Sequence, residues 1–158
     1  KYNIKYQNKH KLDLVDEILS NVDVIPNSIV LAQAAIESGW GKSRFAKEYN
    51  ALFGEYTYDD SEGVIPLERE NGDTHLIKAF SSYSNSVESY FDNINSHYAY
   101  EDFRDIRNIM RKRNNFSNVN LLVNKLSTYA EDENYIKTIR QVIKTNNFAI
   151  FDQKTISY

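Results

Sequence analysis

One apolar segment, Ile29–Ile36, constrains the fold of this chain more than any other feature of the sequence. Nearly every side chain in it is apolar or small, and a helix that is apolar on all sides belongs in a core. Pro26 precedes the segment, and proline suits the first turn of a helix because its missing N–H has no partner there. Gly39 follows the segment and supplies the flexible exit that helix C-termini favour. The sequence therefore predicts a buried central helix that starts at Pro26 and ends at Glu37.

Glu37 needs an explanation, because it is a carboxylate at the end of an apolar helix. The negative end of the helix dipole disfavours ionisation there. Partial desolvation by the apolar neighbours acts in the same direction. Both effects favour the protonated carboxyl that a general acid needs near neutral pH. A surface glutamate that bonds to the following turn fits the local pattern equally well.

The composition fits one compact soluble domain, since 158 residues suit a single domain. The net charge of −3 gives no indication of the positive charge that nucleic-acid-binding proteins carry. Absence of cysteine excludes disulfides and thiolate chemistry. No apolar run approaches the roughly 18 residues that span a membrane, so we expect no membrane insertion. The 12 tyrosines suit a surface that binds sugars, although biased codon usage also explains them.

The first residue, Lys1, is not a methionine, so we expect the chain to be a fragment or a processed form. No targeting segment is recognisable within it. The sequence alone therefore says little about the compartment in which the protein works.

Helical periodicity recurs along the chain. We expect a lead-in over residues 1–10 and a tail over residues 147–158 of this single domain. Helices are predicted over Lys11–Asn21 and Ser43–Tyr49, and then from Asn85, around Phe103–Met110, from Asn118 and from Glu133.

Two local signals refine these helices. Asn85, with Glu88 three residues later, resembles a capping box with Asn in the serine position. The basic run Arg107, Arg111, Lys112 and Arg113 is typical of a solvated helix face. Contact with an acidic polymer is the less frequent use of such a run.

A β-hairpin is predicted between the helices. The strand-like runs 64–70 and 73–80 flank Asn71-Gly72, which is the strongest short hairpin signal. Pro66 indicates an edge strand, because proline cannot donate a ladder hydrogen bond. The predicted class is therefore mainly α with a small β-hairpin lobe, an α+β fold.

The segment Ala32–Ser43, reading AQAAIESGWGKS, resembles the signature of the glucosaminidase family of peptidoglycan hydrolases. The Glu of that motif is the family's catalytic acid, so the resemblance implies this role for Glu37. The segment Asn50–Gly54 is similar to the family's Asn-Leu-Phe-Gly motif, with Ala51 inserted as in its Bax-like branch. The resemblance implies a lysozyme-like fold with a cleft between the helical core and the hairpin lobe.

The resemblance also implies a second catalytic carboxylate in the hairpin. Glu68–Gly72 resembles the family's Glu-Tyr-Glu-Asn-Gly stretch, whose first Glu corresponds to Glu68. Arg69 stands where the family has Tyr, so Glu70 or Glu62 are alternatives. Glycoside hydrolysis uses one acid that protonates the leaving oxygen and a second carboxylate that activates water, attacks or stabilises the transition state. Solvent-facing acids on an edge strand are the structural alternative.

Aromatic residues complete the expected site. Tyr129–Tyr135 resembles the family's Tyr-Ala-Thr-Asp-Pro-x-Tyr motif, with Glu133 in place of Pro, and this implies a catalytic positioning role for Tyr129. A core tyrosine with a hydrogen-bonded hydroxyl is the alternative. The expected substrate contacts are Trp40, Phe53, Tyr56, Tyr58 and Glu70. Large apolar rings such as Trp40 and Phe53 are more often core residues.

The resemblance implies an endo-β-N-acetylglucosaminidase that cleaves the β-1,4 bond between N-acetylglucosamine and N-acetylmuramic acid by general acid catalysis. The partner is a peptidoglycan glycan strand, and we expect a monomer that acts outside the cytoplasm. No cofactor is expected, and the three histidines His10, His75 and His97 lack the spacing of a metal site. The alternatives are a lytic transglycosylase or muramidase-type activity on the same glycan, or a non-catalytic glycan-binding domain.

Overall fold

The computed structural model describes residues 10–66, 74–113, 115, 118–130 and 132–154. Within these ranges the α-helices are α1 (Lys11–Asn21), α2 (Asn27–Glu37), α3 (Arg44–Tyr49), α4 (Tyr83–Ser96), α5 (Glu101–Lys112), α6 (Val119–Val123) and α7 (Tyr135–Thr145). The strands are β1 (Tyr56–Thr57), β2 (Gly63–Val64) and β3 (Leu76–Lys78). Two 3-10 helices span Tyr98–Tyr100 and Phe148–Lys154. The predicted class, mainly helical with a small antiparallel β element, is confirmed.

The first three helices follow the sequence signals closely. Helix α1 has the predicted bounds, and α2 begins directly after Pro26 and ends at Glu37. Ser43 caps α3, because its hydroxyl oxygen accepts a hydrogen bond from the backbone N–H of Ala46 at 3.1 Å. For these three helices, the local sequence signals for helix starts and ends agree with the bounds in the structure.

Helix α4 begins earlier than predicted, at Tyr83. The backbone N–H of Asn85 donates to the hydroxyl of Ser82 at 3.2 Å, and that hydroxyl donates to Asn85 Oδ1. The expected capping box of Asn85 and Glu88 is therefore wrong. Ser82, three residues before Asn85, is the residue whose hydroxyl caps the first turn.

The strands form one small antiparallel sheet in the order β1-β3-β2. Ile77 of β3 lies opposite Tyr56 on one side and Val64 on the other. Val64 of the first predicted arm pairs antiparallel with Ile77 of the second, while Ile65 and Pro66 are not in a strand. Residues 67–73, with the predicted Asn71-Gly72 turn, lie outside the described residues. Strand β2 is an edge strand, as the nearby Pro66 indicated. Strand β1 was not predicted, because two residues carry no readable alternation.

The chain divides into two compact units, which we call unit 1 (Lys1–Val30 and Asp92–Tyr158) and unit 2 (Leu31–Phe91). The buried apolar side chains of unit 1 include Ile25, Ile29, Ile94, Phe103, Leu122, Val123, Leu126, Tyr135 and Ile139. Those of unit 2 include Ala32, Ala35, Ala46, Ala51, Phe53, Leu76, Ile77 and Tyr90.

Arg107 lies inside unit 1 with none of its surface exposed, so the expectation of a solvated face is wrong for this residue. Its guanidinium donates to the carbonyl oxygens of Asp23 at 3.0 Å and Asn21 at 3.1 Å, and to Asn95 Oδ1 at 2.7 Å. Burial lowers the pKa of Arg107 to about 10, so the group stays charged at neutral pH. One side chain thus ties the connection between α1 and α2 to α4 and α5.

The rest of the basic run divides between interior and surface. Arg111 is partly buried and forms an ion pair with the carboxylate of Asp23, to which it donates from both Nε and Nη2. Lys112 and Arg113 are exposed, as expected for a solvated helix face.

The end of the chain holds the start of α2. A 3-10 helix lies within the predicted tail, and Asp152 Oδ1 accepts a hydrogen bond from the backbone N–H of Ser28 at 2.8 Å. The carbonyl oxygen of Phe151 accepts a second bond from Asn27 Nδ2 at 3.0 Å. A carboxylate at a helix N-terminus satisfies a free N–H and complements the helix dipole.

Candidate functional site

Glu37 owes its position to an abrupt end of α2. The next residues include three with left-handed backbone, Gly39 (φ 57°), Trp40 (φ 59°) and Gly41 (φ 71°). The backbone N–H of Trp40 donates to the carbonyl oxygen of Ala35 at 2.8 Å, as in a helix that closes with a left-handed residue. The helix cannot continue past this point, so Glu37 is its last residue.

Ser38 fixes the turn that follows. Its hydroxyl donates to the carbonyl oxygen of Ala34 and accepts from the N–H of Gly41 at 2.8 Å. Its own carbonyl oxygen accepts from the N–H of Ser43 at 2.9 Å. These bonds connect α2 through the turn to the cap of α3, so the backbone around Glu37 is held at several points.

The Glu37 carboxylate lies against the backbone of Gly54. A Cβ atom built on Gly54 would stand 3.3 Å from Oε2 of Glu37, and Gly54 has φ +62°. Two independent reasons therefore favour glycine at this position: the left-handed backbone and the close approach of the carboxylate. This contact joins two segments that the sequence singled out separately, the apolar helix and the Asn50–Gly54 motif.

The loop that carries Gly54 is held from α4. The N–H of Leu52 donates to the buried hydroxyl of Ser86 at 3.1 Å. The hydroxyl of Ser89 donates to Oε2 of Glu55 at 2.9 Å. Asn50 Nδ2 donates to the carbonyl oxygen of Phe80 at 2.9 Å. The residues on both sides of Gly54 are therefore fixed by side-chain hydrogen bonds.

The expected sugar-contacting aromatics fall into two groups. Trp40, Tyr56 and Tyr58 of unit 2 are 55%, 61% and 77% exposed, so their rings can offer a face to a ligand. Tyr56 also stacks on His75, with ring centroids 4.2 Å apart. Phe53 is only 1% exposed and stacks on Tyr90 at 4.2 Å, so its ring is core packing and not a substrate contact.

The structure describes one of the three candidates for the second carboxylate. Glu68 and Glu70 lie outside the described residues. Glu62, the other alternative, is an exposed side chain whose Oε2 is 3.6 Å from Nζ of Lys78. Such a surface ion pair contributes little to stability.

Tyr129 belongs to unit 1, whereas Glu37, Trp40, Tyr56 and Tyr58 belong to unit 2. Its ring is parallel to that of the buried Tyr135, at an angle of 3° and a centroid distance of 5.9 Å. Tyr100 packs beside it at 6.1 Å. Tyr129 itself is partly exposed, so the stack orients the ring and leaves some of its surface accessible.

Sequence reasoning missed the polar residues that support the loop, namely Gln33, Glu55, Ser86, Ser89 and the hydroxyl of Tyr90. One signal was readable, because Gln33 is a polar residue within the otherwise apolar or small run Ile29–Ile36. A buried amide needs a hydrogen-bond partner. The Tyr90 hydroxyl supplies it, donating to Gln33 Oε1 at 2.7 Å.

Among the residues that the structure describes, no group of three His, Asp or Glu side chains has an arrangement that would hold a metal ion. A search of the same residues finds no helix with the length and hydrophobicity that crossing a membrane requires.

Comparison with known proteins adds the following relationships. The family model Glucosaminidase, described as mannosyl-glycoprotein endo-beta-N-acetylglucosaminidase, matches residues 12–148. Protein bax of Escherichia coli K12 is 33% identical over 130 residues, which are 82% of this chain and 46% of that protein. Peptidoglycan hydrolase FlgJ of the same strain is 35% identical over 92 residues, 52% of this chain and 29% of that protein. This chain thus spans less than half the length of these curated relatives.

A solved structure shares the fold. The catalytic domain of the autolysin Auto from Listeria monocytogenes superposes with a TM-score of 0.61 at 21% sequence identity. The match covers 84% of this chain and 77% of that domain. The arrangement of helices and small sheet is therefore one that a known autolysin domain also adopts.

Proposed function

The chain belongs to the glucosaminidase family, and on this premise we propose that it is a peptidoglycan hydrolase, an endo-β-N-acetylglucosaminidase. It cleaves the β-1,4 bond between N-acetylglucosamine and N-acetylmuramic acid in the glycan strand. The hydrolase named FlgJ and the autolysin domain support this assignment by similarity of sequence and of fold respectively.

The observation that carries the proposal is the placement of Glu37. Its carboxyl stands at the end of a helix of which Ile29, Ala32 and Ala35 are buried, and its Oε2 lies 3.3 Å from the Cβ position of Gly54. The exposed Trp40 stands three residues away in the same turn. A carboxyl at a fixed helix end, with an exposed aromatic residue three positions further along the chain, suits the protonation of a glycosidic oxygen.

Glu37 acts in this proposal as the general acid. It donates its proton to the oxygen that links the two sugars, so that the leaving group departs as a neutral hydroxyl. Glu68 is the second carboxylate and activates water or stabilises the oxocarbenium-like charge, while the Tyr129 hydroxyl positions a reacting group. Trp40, Tyr56 and Tyr58 contact sugar rings, and Glu70 binds polar groups of the substrate.

The reaction requires no cofactor, because two carboxyl groups and water supply all its proton transfers. The partner is the glycan strand of peptidoglycan, on which the protein works as a monomer outside the cytoplasm, in the periplasm, in the cell envelope or after secretion.

Release of sugar fragments from purified peptidoglycan tests the proposal. The chain should clear a suspension of peptidoglycan, and borohydride reduction with mass analysis should find N-acetylglucosamine at the new reducing ends. Glu37→Gln should lower the rate at least about 100-fold, because general acid catalysis contributes that much. Glu48→Gln is the matched control, since Glu48 is an exposed glutamate on α3 of the same unit.

Three results would replace the proposal with another function. Fragments that end in an anhydro sugar indicate a lytic transglycosylase, and new ends of N-acetylmuramic acid indicate a muramidase. Saturable binding to peptidoglycan without new reducing ends indicates a glycan-binding domain.

A further inference from the structure

A buried tyrosine–glutamine hydrogen bond lies one helical turn from the proposed acid. Gln33 and Glu37 are four residues apart on α2 and therefore lie on the same side of the helix. Gln33 is fully buried, and its Oε1 accepts a hydrogen bond from the hydroxyl of Tyr90 at 2.7 Å. Tyr90 is fully buried as well, and it comes from α4.

The same tyrosine reaches the other neighbour of Glu37. The ring of Tyr90 stacks on Phe53, with centroids 4.2 Å apart and an angle of 18° between the rings. Phe53 directly precedes Gly54, which lies against Oε2 of Glu37. Gln33 thus lies one turn before Glu37 on α2, and Tyr90 links it to Phe53, the residue before the glycine that the carboxyl approaches.

Close packing of this region does not by itself require the buried hydrogen bond between Tyr90 and Gln33. A leucine or methionine at position 33 would fill an apolar core without the desolvation cost of an amide. A hydrogen bond, unlike an apolar contact, has a fixed length and direction. The bond between Tyr90 and Gln33 therefore sets the distance between α2 and the stacked ring of Tyr90, and through Phe53 it sets where Gly54 meets the carboxyl.

We propose that Tyr90 and Gln33 are positioning residues for Glu37, and that their hydrogen bond holds Gly54 against the carboxyl in the geometry required for proton donation. The inference rests on the proposed function, since it assigns Glu37 the role of acid. Neither Tyr90 nor Gln33 touches the substrate, because both are buried.

Two variants separate positioning from stability. Tyr90→Phe keeps the ring and its stack on Phe53 but removes the hydroxyl, which leaves a buried amide with one partner fewer. The double variant Tyr90→Phe with Gln33→Leu removes both polar groups, and such a paired replacement is close to neutral for stability. Tyr83→Phe is the matched control, because Tyr83 is an exposed tyrosine of the same helix.

We expect kcat on peptidoglycan to fall about 10- to 100-fold in Tyr90→Phe, because small displacements of catalytic groups have effects of this size. KM should change less than about twofold, since the exposed binding surface is untouched. The double variant should unfold at the wild-type urea concentration and still show the low kcat. Wild-type kcat in the double variant would overturn the inference.

A second readout needs no substrate. The carboxyl carbon of Glu37, observed by NMR in protein labelled at glutamate, should titrate at a different midpoint in both variants, because the contact with Gly54 changes its solvation. An unchanged midpoint in both variants would also overturn the inference. If the wild type released no sugar fragments, the proposed function would fail, whereas the titration alone would still decide whether Tyr90 and Gln33 position the carboxyl.

Discussion

Oxygen Oε2 of Glu37 lies 3.3 Å from the point where a side chain on residue 54 would begin, and Gly54 has no side chain. On the side of Gly54, the carboxyl of Glu37 therefore faces backbone atoms and no side chain. This relationship makes the glycine of the Asn50–Gly54 motif part of the carboxyl's surroundings and not only a flexible turn residue.

Gly54→Ala should therefore impair both stability and activity. The left-handed backbone costs a residue with a Cβ about 1–2 kcal/mol, and the new methyl group crowds the Glu37 carboxyl. We expect kcat per folded molecule to fall at least about 10-fold. Urea unfolding and release of reducing ends measure the two effects.

Gly41→Ala is the control for that experiment. Gly41 also has a left-handed backbone, φ +71°, but a Cβ there would meet no atom within 4 Å. It should lose similar stability, while its activity falls less than that of Gly54→Ala. Equal loss of activity in both variants would show that backbone strain, and not contact with Glu37, explains the effect.

Trp40→Gly should separate function from stability. Trp40 adopts φ 59° although it is not a glycine, and the strain is of the kind that proteins retain at functional sites. Replacement by glycine relieves the strain, so the midpoint of urea unfolding should not decrease. KM for peptidoglycan should rise at least about fivefold, since exposed tryptophans often dominate binding. Trp40→Phe should retain most of the affinity, and unchanged KM in Trp40→Gly would remove Trp40 from the binding surface.

The three candidate glutamates for the second carboxylate should behave differently. Glu68→Gln should lower kcat at least about 100-fold. Glu62→Gln should remain within about twofold of wild type, because the Glu62 carboxylate is exposed and pairs with Lys78 at the surface. Steady-state rates of the Glu62, Glu68 and Glu70 variants decide among them, and a severe defect in Glu70→Gln alone would move the role there.

Tyr129→Phe should reduce kcat about 10-fold if its hydroxyl positions a reacting group. The ring remains stacked on Tyr135, so the free energy of unfolding should fall by no more than about 1.5 kcal/mol. Tyr98→Phe, at an exposed tyrosine of the same unit, is the control. A Tyr129→Phe variant with wild-type kcat would leave Tyr129 as a packing residue.

Arg107→Met should destabilise the protein by about 3–5 kcal/mol, because it removes a buried charged donor and leaves its acceptors in place. The substitution removes the hydrogen bonds that the guanidinium donates to the carbonyl oxygens of Asn21 and Asp23 and to Asn95 Oδ1. Arg113→Met, at the exposed end of the same basic run, should change stability by less than about 0.5 kcal/mol. Urea unfolding compares the two, and equal effects would contradict the structural role of Arg107.

The elements governed by local rules could be predicted from the sequence. The bounds of α1 and the end of α2 follow from apolar spacing and glycines, and Ser43 was placed at the start of α3. Glu37 stands out in the sequence because a carboxyl at the end of an apolar helix is unusual, and its role as the acid stays a prediction.

Arg107 shows why other features could not be predicted. A basic residue on an amphipathic helix has the same spacing whether it meets water or carbonyl oxygens. The acceptors that decide the matter lie on Asn21 and Asp23, 86 and 84 residues away. The cap of α4, by contrast, was a local error: Asn85 was expected, and the cap is Ser82, three residues earlier.

Phe53 and Tyr56 illustrate the same limit within the site. Both are aromatic residues next to Gly54, yet one ring packs on Tyr90 and the other lies exposed beside His75. Only their partners distinguish them, Tyr90 of α4 and His75 just before β3, which lie 37 and 19 residues further along the chain.

The bond from Ser28 to Asp152 has a consequence for how this protein is made. The two residues are 124 positions apart, so the N-terminal turn of α2 gains this carboxylate only when nearly the whole domain has left the ribosome. Until then the segment that ends in Glu37 lacks one of its anchors. During synthesis, the start of α2 would therefore wait for residue 152 before this hydrogen bond can form.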